Sequence, residues 1–380
     1  DNTEESGGKF EDYGIYTQVE QLNKTALKSH GLDSNGQLYK INSFEFYRYE
    51  DIIKKEDDAG YDKTAFEKML EIKGDSDHTK LIDMLTDLND YSIGIEDVLK
   101  EHFDEENIVY WMAFQILMGN VDTQNRNVYL YSPLNSDIWY FIAWDNDGCL
   151  MRPEYELRNF SDQNSWEKGI SNYWGNILFQ RCLKSRSFRE KLNDAILDLR
   201  EYLNKDMLTS KIESYKNVLK PYLYLMPDAE YEPLTSEQYD QIAASLPDEI
   251  EKNYQLYLES LETPMPFYIG VPSIDGDKLK FNWDVSYDLD AEDITYSVEV
   301  ARDYLFQDVI YQNTTLTVPE SEMELPNAGQ YFVRVRATNT SGKTQDAFDY
   351  YVTDEGKHYG MKCFYITEDS TVEEDNYEEG

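Results

Sequence analysis

Asn120-Val121-Asp122-Thr123-Gln124-Asn125-Arg126-Asn127, followed by Ala143-Trp144-Asp145-Asn146-Asp147-Gly148, is the pair of stretches that decides how this chain is read. Between them lie two strand-like runs, Val128 to Tyr131 and Ile138 to Trp144, joined by the turn residues Ser132-Pro133-Leu134-Asn135-Ser136. A hairpin here returns the chain and carries Asp145 back toward the loop that holds Asp122. Upstream, after Asp104, the residues Tyr110, Ala113, Phe114, Leu117 and Met118 recur at helical spacing. Trp111 and Ile116 widen that apolar face, and Gly119 is placed to end the helix. Three carboxylates brought together, Asp122, Asp145 and Asp147, repel one another unless a cation offsets them. With oxygen donors the fitting cation is a hard one, Mg²⁺ or Mn²⁺. An EF-hand calcium loop needs an Asp two residues before Asp145, and that position is Ala143.

The spacing Asp-x-x-x-x-Asn matches the catalytic loop of protein kinases. There an Asp accepts the hydroxyl proton of the substrate and an Asn five residues on holds Mg²⁺. A second Asp, after two short strands, binds the metal that bridges the phosphates. Asp122, Asn127 and Asp145 occupy those places, and Asp147 is positioned to share the metal through water. The five-residue spacing alone is common by chance; apolar helix, loop, hairpin and Asp-x-Asp-Gly in succession is much rarer.

In detail the region resembles the CotH family of spore-coat kinases. The resemblance rests on the Asn120-x-Asp122 start, the exit through Asn127, Leu130 and Tyr131, and the end Trp144-Asp145-x-Asp147. Tyr13-Gly14-Ile15-Tyr16 leading to Glu20, and Gly36-Gln37-Leu38-Tyr39-Lys40, are similar to that family too. The likeness runs over about residues 10–260. It implies an α+β, atypical protein-kinase-like fold that binds ATP with Mg²⁺ or Mn²⁺ and phosphorylates Ser or Thr in proteins. It also implies an extracellular, cell-surface or spore-coat location. By that likeness Asp122 is the catalytic Asp, Asn127 and Asp145 are metal ligands, and Glu20 lies near the hinge that meets adenine. Position 124 is Gln where many kinases carry Lys, so Arg126 is the candidate to supply that positive charge. No glycine-rich phosphate loop or Lys-bearing strand precedes residue 13. The expectation is therefore mostly a C-lobe, with the N-lobe largely absent from a chain that starts at Asp1 and binds ATP poorly alone.

The rest of the chain sets the frame. At 380 residues, with 41% hydrophobic and 14% aromatic residues, two domains with full cores are expected. Thirty-two tyrosines predict many half-buried rings whose hydroxyls need partners. Seventy-five acidic against 35 basic residues give a net charge of −40. Such a surface repels nucleic-acid backbones and anionic lipid, and it favours basic protein segments (Ser/Thr-containing ones by the family resemblance) and divalent cations as partners, beyond its plain effect on solubility. Cys149, Cys182 and Cys363 have no CxxC spacing and form neither a zinc motif nor a disulfide framework. No run of 18 apolar residues predicts a membrane span. His30, His78, His102 and His358 are scattered and pair with no Ser or Cys at a readable spacing.

Along the chain, residues 1–11 read as a frayed start, Tyr13 to Glu20 alternates like a strand, and helices are expected near residues 22–30, 79–88 and 95–102. After Pro153 the helical pattern continues through 173–179, 188–203, 208–225 and 238–261, with a break at Pro247. Glu262 to Pro266 reads as a linker, so the first domain is expected over 1–262. Then Leu279/Phe281/Trp283, Tyr296/Val298/Val300 and Tyr331/Val333/Val335 alternate between turns, the pattern of a small β-sandwich over 263–353. That segment resembles a fibronectin type III (immunoglobulin-like) module, with Tyr331 suited to a tyrosine corner. Residues 354–380 read as an acidic tail whose Tyr359–Ile366 middle either adds a strand or hangs free. Asp288, Asp290 and Asp293 read as a solvated loop. Three functions remain open: a CotH-like enzyme with an accessory sandwich, a non-catalytic surface or coat scaffold, and a carbohydrate- or wall-binding module.

Overall fold

A computed structural model describes residues 13–158, 165–354 and 356–374. The expected frayed start at 1–11 lies outside them, as do residues 375–380 of the expected tail. The chain forms a helix-rich N-terminal region and a β-rich C-terminal region. By their internal contacts, residues 1–159 with 185–253 make one compact unit, and 160–184 with 254–380 make the other. The contact division at 253/254 thus falls inside the last helix, whose end at Glu262 is where the sequence places the division, and the segment 165–184 groups with the strands.

In the first unit several helices begin where a short polar side chain meets free backbone N–H groups. Asn23 caps α1 (Lys24–Ser29) by accepting from the amides of Thr25 and Ala26. Asp62 does the same for α2 (Lys63–Met69). Helices α3 (Thr79–Asn89) and α4 (Ile95–His102) follow, and Asp104 caps α5 (Glu105–Met118) through the Asn107 amide. The strands β1 (Gln37–Ile41), β2 (Leu70–Ile72), β3 (Val128–Ser132) and β4 (Tyr140–Ala143) pair antiparallel in the order β2-β1-β3-β4. One face of this sheet buries Leu38, Tyr129 and Tyr131 under Leu27 of α1, with Leu22 and Trp144 packed at its margin.

Two expectations give way here. Residues 13–20 form no strand: Tyr16 and Val19 are exposed, and no strand among the described residues pairs with them. Alternation alone cannot satisfy backbone groups. On α5, the buried side chains are Ile108, Val109, Trp111, Met112, Ala113, Gln115, Ile116 and Leu117, while Tyr110, Phe114 and Met118 are only half-buried. The helix is enclosed nearly all round because it lies between β4 and α8 (Arg186–Tyr202). Before α8 come α6 (Arg152–Leu157) in this unit and α7 (Ile177–Lys184) in the other. Phe188, Leu192, Ala195 and Ile196 form the buried stripe of α8. Then α9 (Lys205–Leu223), α10 (Ser236–Ser245) and α11 (Glu249–Glu262) complete the helices, the last two separated by a short turn containing Pro247. No helix among the described residues is long and apolar enough to cross a membrane.

The second unit carries two packed sheets. One has β5 (Ser273–Asp275), β6 (Lys278–Asn282) and β9 (Glu320–Glu324) in that order. The other runs β15-β14-β10-β7-β8, from Val372–Glu374, Met361–Ile366, Gly329–Asn339, Ile294–Ala301 and Val309–Leu316, with β11 (Thr344–Asp346) added to β10. The remaining strands, β12 (Tyr350–Thr353) and β13 (Gly356–Tyr359), form a hairpin. Leu279, Phe281, Val298, Val300, Val333, Val335 and Phe364 meet in a shared core. Tyr331 is buried and its hydroxyl donates to the Asn327 carbonyl at 2.7 Å, the corner bond that its position leads one to expect. Of the two courses left open for the middle of residues 354–380, the structure takes the strand, so that part is no tail: β14 is an inner strand, because Met361, Cys363, Phe364 and Ile366 supply a buried face that the flanking acids obscure in composition. Asp288 is buried and braces its loop by accepting from the amides of Asp290 and Glu292 and from Asn339.

Candidate active site

The site is built where α5 ends. Gly119 adopts φ +63°, its amide donates to the Ile116 carbonyl at 3.1 Å, and the Asn120 amide donates to Gln115 at 3.0 Å. That paired bond closes the helix and reverses the chain into the loop. Asn120 is buried, and its Oδ1 accepts from the Asp122 amide at 3.4 Å. Asp122 then sits on a single helical turn, Val121–Thr123, with its carboxylate half exposed.

The two ends of the five-residue spacing touch. Asn127 Nδ2 donates to Asp122 Oδ2 at 2.7 Å, and Arg126 Nε pairs with Asp122 Oδ1 at 2.7 Å. Asn127 takes φ +58°, a region that Asn tolerates better than most residues. The loop is also tied from outside. Asn125 Nδ2 donates to Glu45 Oε1 at 2.7 Å, its carbonyl accepts from the Phe44 amide at 2.8 Å, and the Tyr49 hydroxyl holds the other oxygen of Glu45 at 2.6 Å.

Strands β3 and β4 deliver the second motif. Their register pairs Val128 with Ala143, so Asn127, just before β3, lies beside the residues that follow β4, Trp144 and Asp145. Asp145 is left-handed at φ +54° and so is Leu150 at φ +58°, strain at both ends of a six-residue loop. Such strain persists where surrounding contacts over-determine the conformation, and it clusters at functional loops. The contacts are explicit. Asn146 Oδ1 accepts from Gln115 Nε2 at 3.1 Å and from Asn120 Nδ2 at 3.3 Å. The Leu150 amide donates to the Met118 carbonyl at 2.8 Å. A Cβ on Gly148 would lie 2.9 Å from Asn120 Oδ1, so a larger residue there would have to displace the Asn120 side chain. Burial pushes the Cys149 thiol up to about 12, which keeps it protonated and inert. At the far end of the hairpin, the Lys80 ammonium holds the turn through Ser132 Oγ, Pro133 O and Ser136 O.

Two of the sequence-predicted residues, Asp122 and Asn127, are thus in direct contact, with Arg126 on the same carboxylate. Asp145 and Asp147 share the adjoining loop. The three-carboxylate cluster is not seen: among the described residues no group of three His, Cys, Asp or Glu side chains is gathered to hold a metal ion. Asp122 instead spends both oxygens on Arg126 and Asn127. The donors present still suit Mg²⁺, which is held by one or two carboxylates with water and substrate phosphates rather than by an all-protein cage. Glu20 bonds to His30 at 2.7 Å and to Ser29, and the His30 hydrogen bond holds its carboxyl below the usual range. Two grooves of the same unit lie elsewhere: about 480 Å³ lined by Glu105, Glu106, Tyr110, Lys191, Asp194 and Asp198, and about 340 Å³ lined by Pro153, Glu156, Gln241 and Lys252 among others.

Sequence reasoning missed the supports. Gln115, Asn120 and Asn146 clasp the two loops. Asn253, buried in α11, donates to the Leu117 carbonyl at 2.9 Å and accepts from Arg152, which also pairs with buried Glu249. The available signal was a lone Gln inside an apolar helix and an Asn at a helix-interior position.

The model of the family described as CotH kinase protein matches residues 4–257. A search of curated proteins returned no match. Among solved structures, the chain aligns with "Structure of surface layer protein SbsC, domains 1-6" at 11% identity and a TM-score of 0.15, over 87% of this chain and 41% of that one. The chain therefore spans less than half of that structure, and so low a score carries no argument about fold. The family match covers well over half of the 380 residues and includes every residue of both loops: the chain belongs to the CotH kinase protein family.

Proposed function

We propose that the chain is a kinase-like phosphotransferase that moves the γ-phosphate of ATP to a Ser or Thr hydroxyl of a basic protein segment at a surface or spore coat. The observation that carries this reading is the closed Asp122–Asn127 pair beside the strained Asp145 loop. Asn127 donates through its nitrogen, which leaves its Oδ1 for a cation; Asp145 and Asp147 supply carboxylate oxygens from the adjoining loop. Mg²⁺ bound with ATP supplies charge neutralisation on the phosphates. Asp122 accepts the hydroxyl proton as the new O–P bond forms and the bond to the β-phosphate oxygen breaks. For that, Arg126 releases Oδ1 and turns its charge toward the transferred phosphoryl group. Glu20 near an adenine hinge and a kinase-like fold for the first unit belong to the same proposal, as does a fibronectin type III-like role for the sandwich in positioning the enzyme. The net charge of −40 favours a basic substrate.

A second reading, a non-catalytic scaffold, is favoured by one observation: both Asp122 oxygens are already engaged. Incorporation of labelled phosphate into basic Ser/Thr proteins separates the two. Mg²⁺-dependent incorporation that Asp145→Asn abolishes supports the enzyme. No incorporation across several basic substrates supports the scaffold.

A further inference from the structure

We infer that Gln115 is a positioning residue that sets Asp145 and Asp147 against Asp122 by clasping Asn146, an inference that rests on the phosphotransferase reading. Gln115 is fully buried in α5 between apolar neighbours. Its Nε2 reaches Asn146 Oδ1 at 3.1 Å, while its Oε1 meets no donor among the described residues. A buried acceptor left unpaired opposes folding, so stability alone gives no reason for a Gln here. What the amide achieves is geometric. Asn146 Oδ1 takes a second N–H from Asn120 at 3.3 Å, and Asn120 is the first residue of the Asp122 loop. One oxygen thus joins the interior of α5, the catalytic loop and the acidic loop. Asn146 stands between Asp145 and Asp147, so holding it constrains the backbone that carries both carboxylates, and it does so where Asp145 is held at φ +54°. The elements that must agree in a phosphotransferase site are coupled at a single side-chain oxygen.

Gln115→Met tests this, because Met keeps the length of the side chain and suits a helix interior but cannot donate. Three readouts are taken on the full chain: thermal midpoint, calorimetric titration with Mn²⁺ in the presence of ATP, and hydrogen exchange of the loops. The expected result is an unchanged or raised midpoint, at least tenfold weaker Mn²⁺ binding, and faster exchange across residues 145–150. In turnover, KM for Mg·ATP rises more than kcat falls. Asn146→Ala speeds exchange in 120–127 as well as in its own loop. A lowered midpoint with unchanged Mn²⁺ affinity and exchange makes Gln115 merely structural and overturns the inference. If wild type neither binds Mn²⁺ with ATP nor transfers phosphate, the phosphotransferase reading fails. The clasp is then judged on exchange alone: faster exchange in both loops upholds the coupling, and unchanged exchange overturns it.

Discussion

Replacing Gly119 by Ala probes the turn on which the site is built, and a second glycine provides the control. Gly119 ends α5 at φ +63°, and a Cβ there would sit 2.6 Å from Asn253 Nδ2. Gly31, at φ +73°, has nothing within 4 Å of its would-be Cβ. Both substitutions incur the left-handed penalty of about 1–2 kcal/mol. Only Gly119→Ala must also displace Asn253, which loses its bond to the Leu117 carbonyl or its charge-assisted bond from Arg152 at 2.5 Å. A hydrogen bond to a charged group contributes about 1.5–3 kcal/mol. The total for Gly119→Ala is therefore about 2.5–5 kcal/mol, against about 1–2 for Gly31→Ala. For a unit of roughly 200 residues, each kcal/mol moves the midpoint about 2–4 °C. Thermal unfolding followed by near-ultraviolet circular dichroism then gives a drop for Gly119→Ala at least about twice that for Gly31→Ala. Equal drops would refute the close approach of Asn253 to the turn, and with it the account of how α5 launches the Asp122 loop.

Three further expectations follow from other contacts. His78 is buried, with Nδ1 bonded to the Tyr39 hydroxyl at 2.7 Å, and burial lowers its pKa below the ordinary 6.5. Its unfolded form takes up a proton first as pH falls, so its contribution is complete above about 6.5 and is lost below that, at no more than about 1.4 kcal/mol per pH unit. Urea unfolding of wild type and His78→Gln should converge as pH falls from about 7.5 to about 5; a constant gap would contradict this. Arg126→Ala removes a half-exposed pair, so the midpoint should move by less than about 1 kcal/mol equivalent while phosphate transfer falls; parallel loss of both in melts and kinetics would argue for a structural Arg. Tyr331→Phe removes the hydroxyl's bond to the Asn327 carbonyl and should cost about 1 kcal/mol, read from denaturant midpoints of the second unit.

What the sequence made legible is what depends on short-range pattern. The helix from Glu105, its glycine stop, the hairpin after Asn127 and the alternating strands around Val298 and Val333 all carry their period in the residues themselves. The five-residue spacing put Asp122 and Asn127 on one short loop around an expected metal; that Asn127 donates directly to Asp122 is seen only in the fold. Partners supplied from afar were not legible. Tyr13 to Glu20 alternates, yet no strand meets it. Met361 to Ile366 is an inner strand, yet acids on both sides gave it the composition of a tail. The enclosure of α5 depends on α8 and β4 covering opposite sides, which no single helical stripe reveals. Gln115 looked like one polar break in an apolar run; its role appears only once Asn146, thirty-one residues on, is folded against it.

The most direct test separates binding from chemistry at the two aspartates. Mg·ATP affinity by calorimetry and single-turnover transfer of labelled phosphate to a basic Ser/Thr protein are measured for wild type, Asp122→Asn and Asp145→Asn. General-base loss typically slows a reaction about 10²–10⁴-fold. Asp122→Asn should therefore bind Mg·ATP like wild type and transfer at least about a hundredfold more slowly, whereas Asp145→Asn should lose Mg²⁺-dependent binding and transfer together. Equal transfer by all three proteins would contradict the assignment of this loop pair as a phosphotransferase site.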